Sequence, residues 1–273
     1  MGAEGGLPPR PLPGPGGWVL LDIGNTRCKI ARHGPSGKEG KFPGAWRPRT
    51  LTTLPSRWPD LRQWLRQELT GRETLLVSSV VPSLGRGLSH WIEKRGGRVH
   101  FATSRSPWSF RLGLRHPETV GSDRLAALEG ALTRYAAPLV VVSCGTALTF
   151  SVLDAGGVFR GGAIAPGLDL ASRILHRGTA QLPEIPLRRP RSLIGRDTGE
   201  SLRSGLVGGT ACLIEELSRR IREELSPGRK AVKVIGTGGS ASLLAPLCPG
   251  VKAWEPCLVL RGLFSLAGRI RNR

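Results

Sequence analysis

The residue types that bind a nucleotide's phosphates and their metal ion are gathered between positions 22 and 29. Within those eight residues the chain places a carboxylate, a glycine turn, a hydroxyl and a cation, in the order Asp22, Gly24, Thr26 and Lys29. Carboxylate and hydroxyl oxygens are ligands that Mg2+ prefers, and backbone N–H groups in a turn can cradle phosphate. The chemistry that this segment suggests is therefore the binding of a nucleotide together with its metal ion.

The spacing of apolar residues around this segment predicts a β-hairpin. Residues 19–21 are apolar and of strand type, and residues 24–26 have the composition of a tight turn. Alternation then resumes through Cys28 and Ile30. A hairpin would bring the carboxylate at the end of the first strand beside the groups that follow the turn, so this element would collect the phosphate-binding residues.

A second segment, residues 139–152, repeats the pattern. It places an apolar strand before a Gly-Thr turn and follows the turn with another strand. When the two hairpins are aligned, Gly145 falls on Gly24. Ser143 falls on Asp22, so the second copy lacks the carboxylate.

A third glycine turn, at residues 236–239, follows a predicted strand at residues 231–235. Together with the hairpins it predicts two related half-molecules that close on one nucleotide. At 273 residues the chain is long enough for two domains, which we place at residues 18–136 and 137–273. Residues 1–17 are rich in Gly and Pro with little to bury, so we predict a disordered tail outside the fold.

Strand and helix signals alternate through the rest of the chain. Strands are predicted at residues 74–81 and 99–102, and helices at residues 59–69, 84–94, 125–135, 168–176, 200–225, 240–247 and 257–270. The last two helices are assigned to the second domain. Alternation at this spacing is typical of a sheet flanked by helices, so the predicted fold class is α/β.

Composition limits the compartment and the partners of the protein. No apolar run approaches the ~20 residues of a membrane span, and the N-terminus lacks the charged and apolar regions of an export signal. The five cysteines include no C-x-x-C pair, which is typical of buried thiols in a reducing compartment and not of a zinc site. We therefore predict a cytoplasmic protein without a membrane partner.

The formal net charge of +20 would attract polyanions such as nucleic acid. The charge is spread along the chain, however, and only seven of the forty cations are lysine, a bias that a GC-rich genome would produce. Aromatic residues are few, and no helix-turn-helix, zinc finger or aromatic platform is recognisable. We therefore expect non-specific attraction at low salt and no specific nucleic-acid partner.

A second carboxylate of interest lies between the two hairpins. Residues 115–124 lead into the helix predicted at residues 125–135. Gly121 or Ser122 can cap this helix, which leaves Asp123 in its first turn, where the helix dipole stabilises a carboxylate. Ser-Asp pairs most often only cap a helix, so a structural role is the simpler interpretation. A functional role for the acid depends on the rest of the chain.

Seven motifs that occur in order resemble those of type III pantothenate kinases, which belong with the Bvg accessory factors to the actin-like ATPase superfamily. They are D-I-G-N-T-x-x-K at 22–29, S-S-V-V-P at 78–82, G-S-D-R at 121–124, C-G-T-A-x-T-F at 144–150, G-G-A-I-A-P-G at 161–167, G-R-D-T at 195–198 and G-T-G-G at 236–239. The resemblance extends from about residue 18 to residue 266. It implies two ribonuclease H-like domains, each a mixed sheet flanked by helices.

The resemblance also implies an activity, which is ATP-dependent phosphorylation of pantothenate at the start of coenzyme A biosynthesis by a homodimer. ATP and Mg2+ would be bound by residues of the two hairpins, namely Asp22, Ile23, Gly24, Asn25, Thr26, Arg27, Cys28, Lys29 and Thr146, with Asp22 next to the metal ion. Pantothenate would be bound by Gly121, Ser122, Asp123, Arg124 and Thr198. Asp123 would accept the proton of the reacting hydroxyl, and Arg124 would pair with the substrate carboxylate.

Four positions depart from the family pattern by losing an acid or an aromatic ring, namely Leu114, Ser143, Ser151 and Ser240. Ser143 stands where the family has an Asp that binds a monovalent cation, usually K+ or NH4+, and it offers that cation only a neutral oxygen. Because Asp22 and Asp123 are retained, we expect an active kinase. The alternative is a catalytically weakened or non-catalytic regulatory homologue of the same fold.

Overall fold

The computed structural model describes residues 18–32, 49–51, 58–69, 73–225 and 231–271. The tail predicted at residues 1–17 lies outside these ranges. The described residues form two β-sheets with helices packed on their faces, which confirms the predicted α/β class. None of the helices in these ranges is long and apolar enough to cross a membrane.

The first sheet is built from strands of the N-terminal half, namely β1 (Trp18–Ile23), β2 (Cys28–Arg32), β3 (Arg49–Leu51), β4 (Thr74–Ser79) and β5 (Arg98–Phe101). Its strand order is β3-β2-β1-β4-β5. β1 pairs antiparallel with β2, which confirms the first hairpin, and parallel with β4. This central strand is covered on both faces, so its side chains are buried, except that Asp22 near its end is only partly buried.

The second sheet contains β6 (Arg111–Leu112), β7 (Leu139–Cys144), β8 (Ala147–Leu153), β9 (Val158–Gly161), β10 (Ile164–Pro166), β11 (Lys233–Thr237) and β12 (Ala253–Trp254). Its order is β12-β11-β7-β8-β9-β6, with β10 beside β8. The run β9-β8-β7-β11-β12 repeats the order and the pairing directions of the first sheet. The predicted repeat of the hairpin is therefore confirmed, and it extends to the whole sheet.

The helices are α1 (Trp58–Glu68), α2 (Pro82–Glu93), α3 (Ser122–Leu132), α4 (Leu168–Gly178), α5 (Thr198–Arg203), α6 (Gly209–Leu225), α7 (Ala241–Leu244) and α8 (Leu258–Arg271). Apolar side chains of α1 and α2 pack on one face of the first sheet. Those of α3 and α8 lie on its other face. Alternate residues of β1 supply the two cores, as the pleat of a strand requires.

The last helix, which the sequence analysis assigned to the second domain, packs on both sheets. Leu258 at its start lies in the core of the second sheet, and three further leucines of α8 pack with Trp18 and Leu20 of β1. In the opposite direction β6, which precedes residue 137, pairs with β9 of the second sheet. Two segments therefore pack across the proposed domain boundary, and the division after residue 136 stays a prediction.

Helices α3 and α8 approach closely because each presents a glycine where they cross. A Cβ atom on Gly262 would lie 2.6 Å from the carbonyl carbon of Ala126 and closer still to its oxygen. A Cβ atom on Gly130 would overlap the carbonyl oxygen of Leu258 in the same way. Backbone therefore packs directly on backbone at this crossing, which joins the start of α8 to the helix that holds Asp123.

Three local predictions differ from the structure. Strand β11 runs on to Thr237, which pairs with Ser143 of β7, so the glycine turn begins only at Gly238. The helix predicted at residues 240–247 ends as a 3-10 turn at Ala245–Leu247, where Pro246 lacks a backbone N–H. A π-helical turn, Ser204–Gly208, separates α5 from α6.

Candidate active site

A cleft of about 230 Å3 lies between the two hairpins. Nine of the residues proposed from the sequence line it, namely Asp22, Gly24, Asn25, Thr26, Arg27, Lys29, Asp123, Ser143 and Thr146. The turns of the two hairpins face each other across the cleft, as the predicted repeat requires. The structure therefore brings the predicted phosphate-binding groups of both sheets and the acid of α3 to one place.

The two hairpins contact each other directly through hydroxyl groups. The first turn is closed by a hydrogen bond of 2.9 Å from the Gly24 N–H to the Arg27 carbonyl. Thr26 at its tip places its Oγ1 2.8 Å from Oγ1 of Thr146, within hydrogen-bond distance. A phosphate bound between the turns would have to separate these two hydroxyls, and each could then donate to a phosphate oxygen.

The third glycine turn closes the cleft beside β11. Gly238 has φ of +108°, and a Cβ atom there would lie 2.6 Å from the carbonyl carbon of Cys144, so only glycine fits. The guanidinium of Arg27 lies on the backbone of Gly239, where any Cβ atom would overlap it. Arg27 therefore spans the cleft from the first hairpin to the third turn.

Asp22 pairs in register with Lys29 across the first hairpin. Burial raises the pKa of its carboxyl to about 7, with Lys29 acting to lower it and Asp123 to raise it. The described residues contain no group of three or more His, Cys, Asp or Glu side chains that could hold a metal ion by themselves. One carboxylate beside a phosphate site does fit Mg2+, because this ion usually takes one or two carboxylates together with substrate phosphates.

Replacing Asp22 by asparagine is expected to stabilise the ligand-free protein above pH ~7 and to leave its stability near pH ~4 unchanged. The folded protein keeps the proton up to a pKa of about 7, whereas the unfolded chain loses it near 3.8. Wild-type stability therefore falls as the pH rises between these values, by up to about 4 kcal/mol, and the amide removes this loss. Thermal unfolding in EDTA across this pH range measures the difference.

The control for this prediction is Asp154→Asn, which should have the opposite sign. Burial acts to raise the pKa of Asp154, but hydrogen bonds from the Val158 N–H and the Arg160 guanidinium hold this pKa below its ordinary value. The Asp154→Asn variant should therefore be less stable than the wild-type protein at every pH at which the Asp154 carboxyl is ionised in the folded state. An Asp22→Asn effect on Tm that did not grow with pH would contradict the burial of a neutral carboxyl at Asp22.

Asp123 lies in the first turn of α3 with its carboxylate folded over a glycine. The Arg124 N–H donates to Oδ1 of Asp123 at 2.8 Å. A Cβ atom on Gly121 would overlap that oxygen, so the glycine leaves room for the carboxylate. Burial raises the pKa of Asp123, although the N–H and the charge of Arg124 lower it. A carboxylate with a raised pKa is a better proton acceptor at neutral pH.

The start of α3 is attached to the first sheet by serines. Gly121 takes the N-cap position and Ser122 is already helical, so Ser122 does not cap the helix. Its Oγ instead accepts the Ser79 N–H at 3.1 Å and lies 3.1 Å from Ser78 Oγ at the end of β4. Ser122 is buried, and these hydrogen bonds fix the backbone next to Asp123.

Arg124 does not line the cleft in this structure. Its guanidinium donates to the Phe150 carbonyl at 2.9 Å and to Ser151 Oγ at 3.1 Å, and it lies over the ring of Phe159. These contacts hold α3 against β8 and β9. Pairing of Arg124 with a substrate carboxylate stays a prediction, since it would require the guanidinium to exchange partners.

Besides Arg124, five residues proposed from the sequence do not line the cleft, namely Ile23, Cys28, Gly121, Ser122 and Thr198. The side chains of Ile23 and Cys28 are fully buried in the core under α1 and α2, so only their backbone can meet a ligand. Thr198 is the first residue of α5 and is exposed outside the cleft. The structure therefore assembles the nucleotide half of the predicted site more completely than the substrate half.

Sequence reasoning missed two charged residues of α4 that line the cleft, Asp169 and Arg173. The start of α4 is fixed to the second hairpin by a hydrogen bond of 3.0 Å from the Gly167 N–H to the Thr146 carbonyl. In the described part of the chain Arg173 has no hydrogen bond or ion pair, so its guanidinium is available to an anion. The glycine-rich motif before α4 was the available signal, because it permits this close approach.

Comparison with known proteins identifies the family. The sequence model of the type III pantothenate kinase family matches residues 18–220. A type III pantothenate kinase of Thermomicrobium roseum is 38% identical in an alignment of 265 positions that covers 93% of this chain and 98% of the relative. One of Rhodospirillum centenum is 41% identical in an alignment of 258 positions that covers 90% of this chain and 95% of the relative.

Solved structures agree on the fold. A Baf family protein from Campylobacter jejuni superposes with a TM-score of 0.61 at 20% identity, covering 93% of this chain and 100% of its own. MreB 5 of Spiroplasma citri, bound to AMPPNP, superposes with a TM-score of 0.50 at 12% identity, and the match covers 95% of this chain and 98% of that chain. The two repeated sheets are thus those of the actin-like ATPase fold, and the chain belongs to the type III pantothenate kinase family.

Proposed function

We propose that this protein transfers the terminal phosphate of ATP to the primary hydroxyl of pantothenate, the first step of coenzyme A biosynthesis. The observation that carries the proposal is the convergence of both phosphate hairpins and Asp123 on one cleft. Membership of the family supports the choice of pantothenate as the substrate. The retention of Asp22 and Asp123 supports an active enzyme.

In this mechanism Asp123 accepts the proton of the attacking hydroxyl. The hydroxyl oxygen forms a bond to the terminal phosphorus, the bond from that phosphorus to ADP breaks, and the proton stays on the carboxylate of Asp123. The raised pKa favours this transfer, and the Arg124 N–H keeps the acceptor oxygen in place. Since the transition state of phosphoryl transfer is loose, most of the rate gain would come from positioning and charge neutralisation.

Positive charge around the phosphates would come from both sides of the cleft. Arg27 and Lys29 supply it from the first hairpin and Arg173 from α4. Asp22 would hold Mg2+ together with the phosphates, and the ion would neutralise charge on the phosphate oxygens. The hydroxyls of Thr26 and Thr146 would move apart, and each would then donate a hydrogen bond to a phosphate oxygen.

The direct test is an assay of the purified protein with ATP, Mg2+ and pantothenate. ADP should form only when all three are present, and pantothenate should gain one phosphate for each ADP released. Omitting pantothenate measures the background hydrolysis of ATP. Equal ADP release with and without pantothenate would contradict the assignment of the acceptor, and replacement by other small hydroxy acids would then identify the true one.

The rate should depend little on K+ or NH4+, because Ser143 places a neutral oxygen where the family has a carboxylate. The measurement is the initial rate at constant ionic strength, with Na+ or choline replacing K+. The matched variant Ser143→Asp restores the family residue and should gain a several-fold response to K+. Strong activation of the wild-type protein by K+ would show that another group completes the cation site.

A regulatory protein of the same fold is the second candidate, and the lost acids at Ser143, Ser151 and Ser240 are the observation that favours it. Such a protein would retain the cleft and bind nucleotide or pantothenate without turnover. Calorimetry of each ligand, run beside the ADP assay, distinguishes the candidates. Heat of binding with no phosphate transfer would favour the regulator.

A cytoplasmic homodimer completes the proposal. Exposed apolar side chains occur at Ile164, Leu193 and Ile194, which are 65%, 68% and 81% exposed and would be covered by a second copy. Dimerisation is also a way for Thr198 to reach a substrate, since it lies outside the cleft of its own chain. Size-exclusion chromatography with light scattering measures the molecular mass in solution, which should be twice that of one chain if the protein is a homodimer.

A further inference from the structure

The residues on either side of Asp123 are anchored to different sheets. Ser122, which precedes it, is bonded to Ser78 and Ser79 at the end of β4 in the first sheet. Arg124, which follows it, reaches β8 in the second sheet. Of these three consecutive residues, only Asp123 lines the cleft. The position of its carboxylate therefore depends on both sheets at once.

The anchor on the second sheet is a guanidinium held by two neutral acceptors. Nε of Arg124 donates to Ser151 Oγ at 3.1 Å, and its Nη2 donates to the Phe150 carbonyl at 2.9 Å. Ser151 is 2% exposed and Phe150 is fully buried, so water has little access to either acceptor. In the described ranges no Asp or Glu forms an ion pair with this guanidinium. The hydroxyl of Ser151 is therefore one of two groups that fix the direction of Arg124.

Strand β8 connects this anchor to the nucleotide half of the cleft. The strand begins directly after Thr146, whose hydroxyl meets that of Thr26 across the cleft. Because Arg124 holds α3 to the middle of the same strand, Asp123 and the second phosphate turn share one support. Such support matters for transfer, since a misplacement of about 1 Å can lower a rate about a hundredfold.

We propose that the bond between Arg124 and Ser151 positions Asp123, which makes Ser151 a positioning residue for phosphate transfer. Ser151 is buried and does not line the cleft, so it can act only through its neighbours. The inference rests on the proposed function, because it takes Asp123 as the acceptor of the hydroxyl proton. Pairing of Arg124 with the substrate carboxylate predicts a different result, in which the KM for pantothenate depends on the guanidinium and kcat does not.

The test compares kcat and KM of the variants for pantothenate and for its neutral amide. Ser151→Ala leaves Nε of Arg124 without its acceptor, so kcat should fall about tenfold with both substrates, while the KM for pantothenate should change less than about twofold. Arg124→Met removes both bonds and should lower kcat about a hundredfold with both substrates. Ser151→Asp supplies an acceptor again and should recover most of the kcat that Ser151→Ala loses.

The matched control is Ser218→Ala on α6. Ser218 is also 2% exposed, but it lies outside the cleft and its hydroxyl has no hydrogen-bond partner in the described part of the chain. This variant should keep the wild-type kcat. An equal loss in Ser218→Ala would overturn the proposal in favour of general destabilisation. A raised KM for pantothenate in Arg124→Met, with the amide unaffected, would overturn it in favour of pairing with the carboxylate.

Hydrogen exchange distinguishes a failure of this proposal from a failure of the proposed function, because it needs no substrate. The Arg124 N–H donates to Oδ1 of Asp123, so peptides that cover the first turn of α3 should exchange several-fold faster in Ser151→Ala and Arg124→Met. Faster exchange in a protein whose wild type phosphorylates neither substrate would contradict only the proposed function. Unchanged exchange in Arg124→Met would overturn the positioning role, whichever substrate the protein uses.

Discussion

Replacing Asp123 by asparagine is expected to lower kcat for phosphate transfer about a thousandfold and to leave the fold intact. The amide has the shape of the carboxylate but cannot accept the proton of the hydroxyl. Because burial raises the pKa of Asp123, the folded protein already disfavours its charged form, and the neutral amide should not lower Tm. The measurements are kcat and KM for pantothenate, with the thermal unfolding curve of each protein.

Gly121→Ala provides an independent test of the same carboxylate. Its Cβ atom would overlap Oδ1 of Asp123, while its backbone, at φ −57° and ψ 130°, suits alanine. The variant should therefore lose kcat with Asp123 still present, and the double variant should be no slower than Asp123→Asn alone. Asp154→Asn, a carboxylate outside the cleft, should keep the wild-type rate. A rate for Asp123→Asn equal to that of the wild type would remove the proposed base.

Replacing Gly262 by alanine is expected to lower the free energy of unfolding by about 3 kcal/mol, the upper end for an overpacked core. The new Cβ atom would lie 2.6 Å from the carbonyl carbon of Ala126, and backbone cannot move aside as the end of a side chain can. α3 and α8 would have to separate, which opens the core they share with the first sheet. Urea unfolding followed by tryptophan fluorescence measures the change.

Gly268→Ala is the matched control on the same helix. A Cβ atom there would meet nothing within 4 Å, so alanine should stabilise the protein by about 0.5 to 1 kcal/mol through its helix propensity. Gly130→Ala, on the opposite side of the crossing, should resemble Gly262→Ala. Two alanine variants of equal stability at 262 and 268 would mean that the helices do not cross at the distance described.

The hairpins could be predicted from the sequence because their signals are local. Turn residues beginning at Gly24 and Gly145 follow apolar strands, and each turn determines which residues face each other across the hairpin. The placement of Asp22 beside Lys29 follows directly from that register. The position of Asp123 in the first turn of a helix was equally accessible, since helix starts have their own sequence signals.

The position of α8 could not be predicted in the same way. Its apolar residues recur at helical spacing, but this pattern shows only that one face is buried and does not identify the sheet that buries it. The pairing of Gly262 with Gly130 depends on residues more than a hundred positions apart. Assignment of α8 to the second domain therefore rested on its place in the chain, and the packing on Trp18 and Leu20 could be found only from the structure.

Long side chains were the other source of difference. Arg124 in the first turn of α3 and Arg173 in the middle of α4 both belong to helices near the cleft, yet only Arg173 lines it. The direction of Arg124 is determined by the carbonyl of Phe150 and the hydroxyl of Ser151, which belong to a strand brought close by the fold. Resemblance to a family identifies such residues, whereas their orientation depends on neighbours that a single sequence does not reveal.

The return of α8 to the first sheet has a consequence for synthesis on the ribosome. Trp18 and Leu20 are among the first described residues to be translated, whereas α8, which covers them, is among the last. The part of the N-terminal sheet that α8 covers therefore stays open in a nascent chain until α8 has been translated and has left the exit tunnel. Chaperones that shield apolar surface would meet this protein throughout elongation, and its first half should not mature ahead of its second.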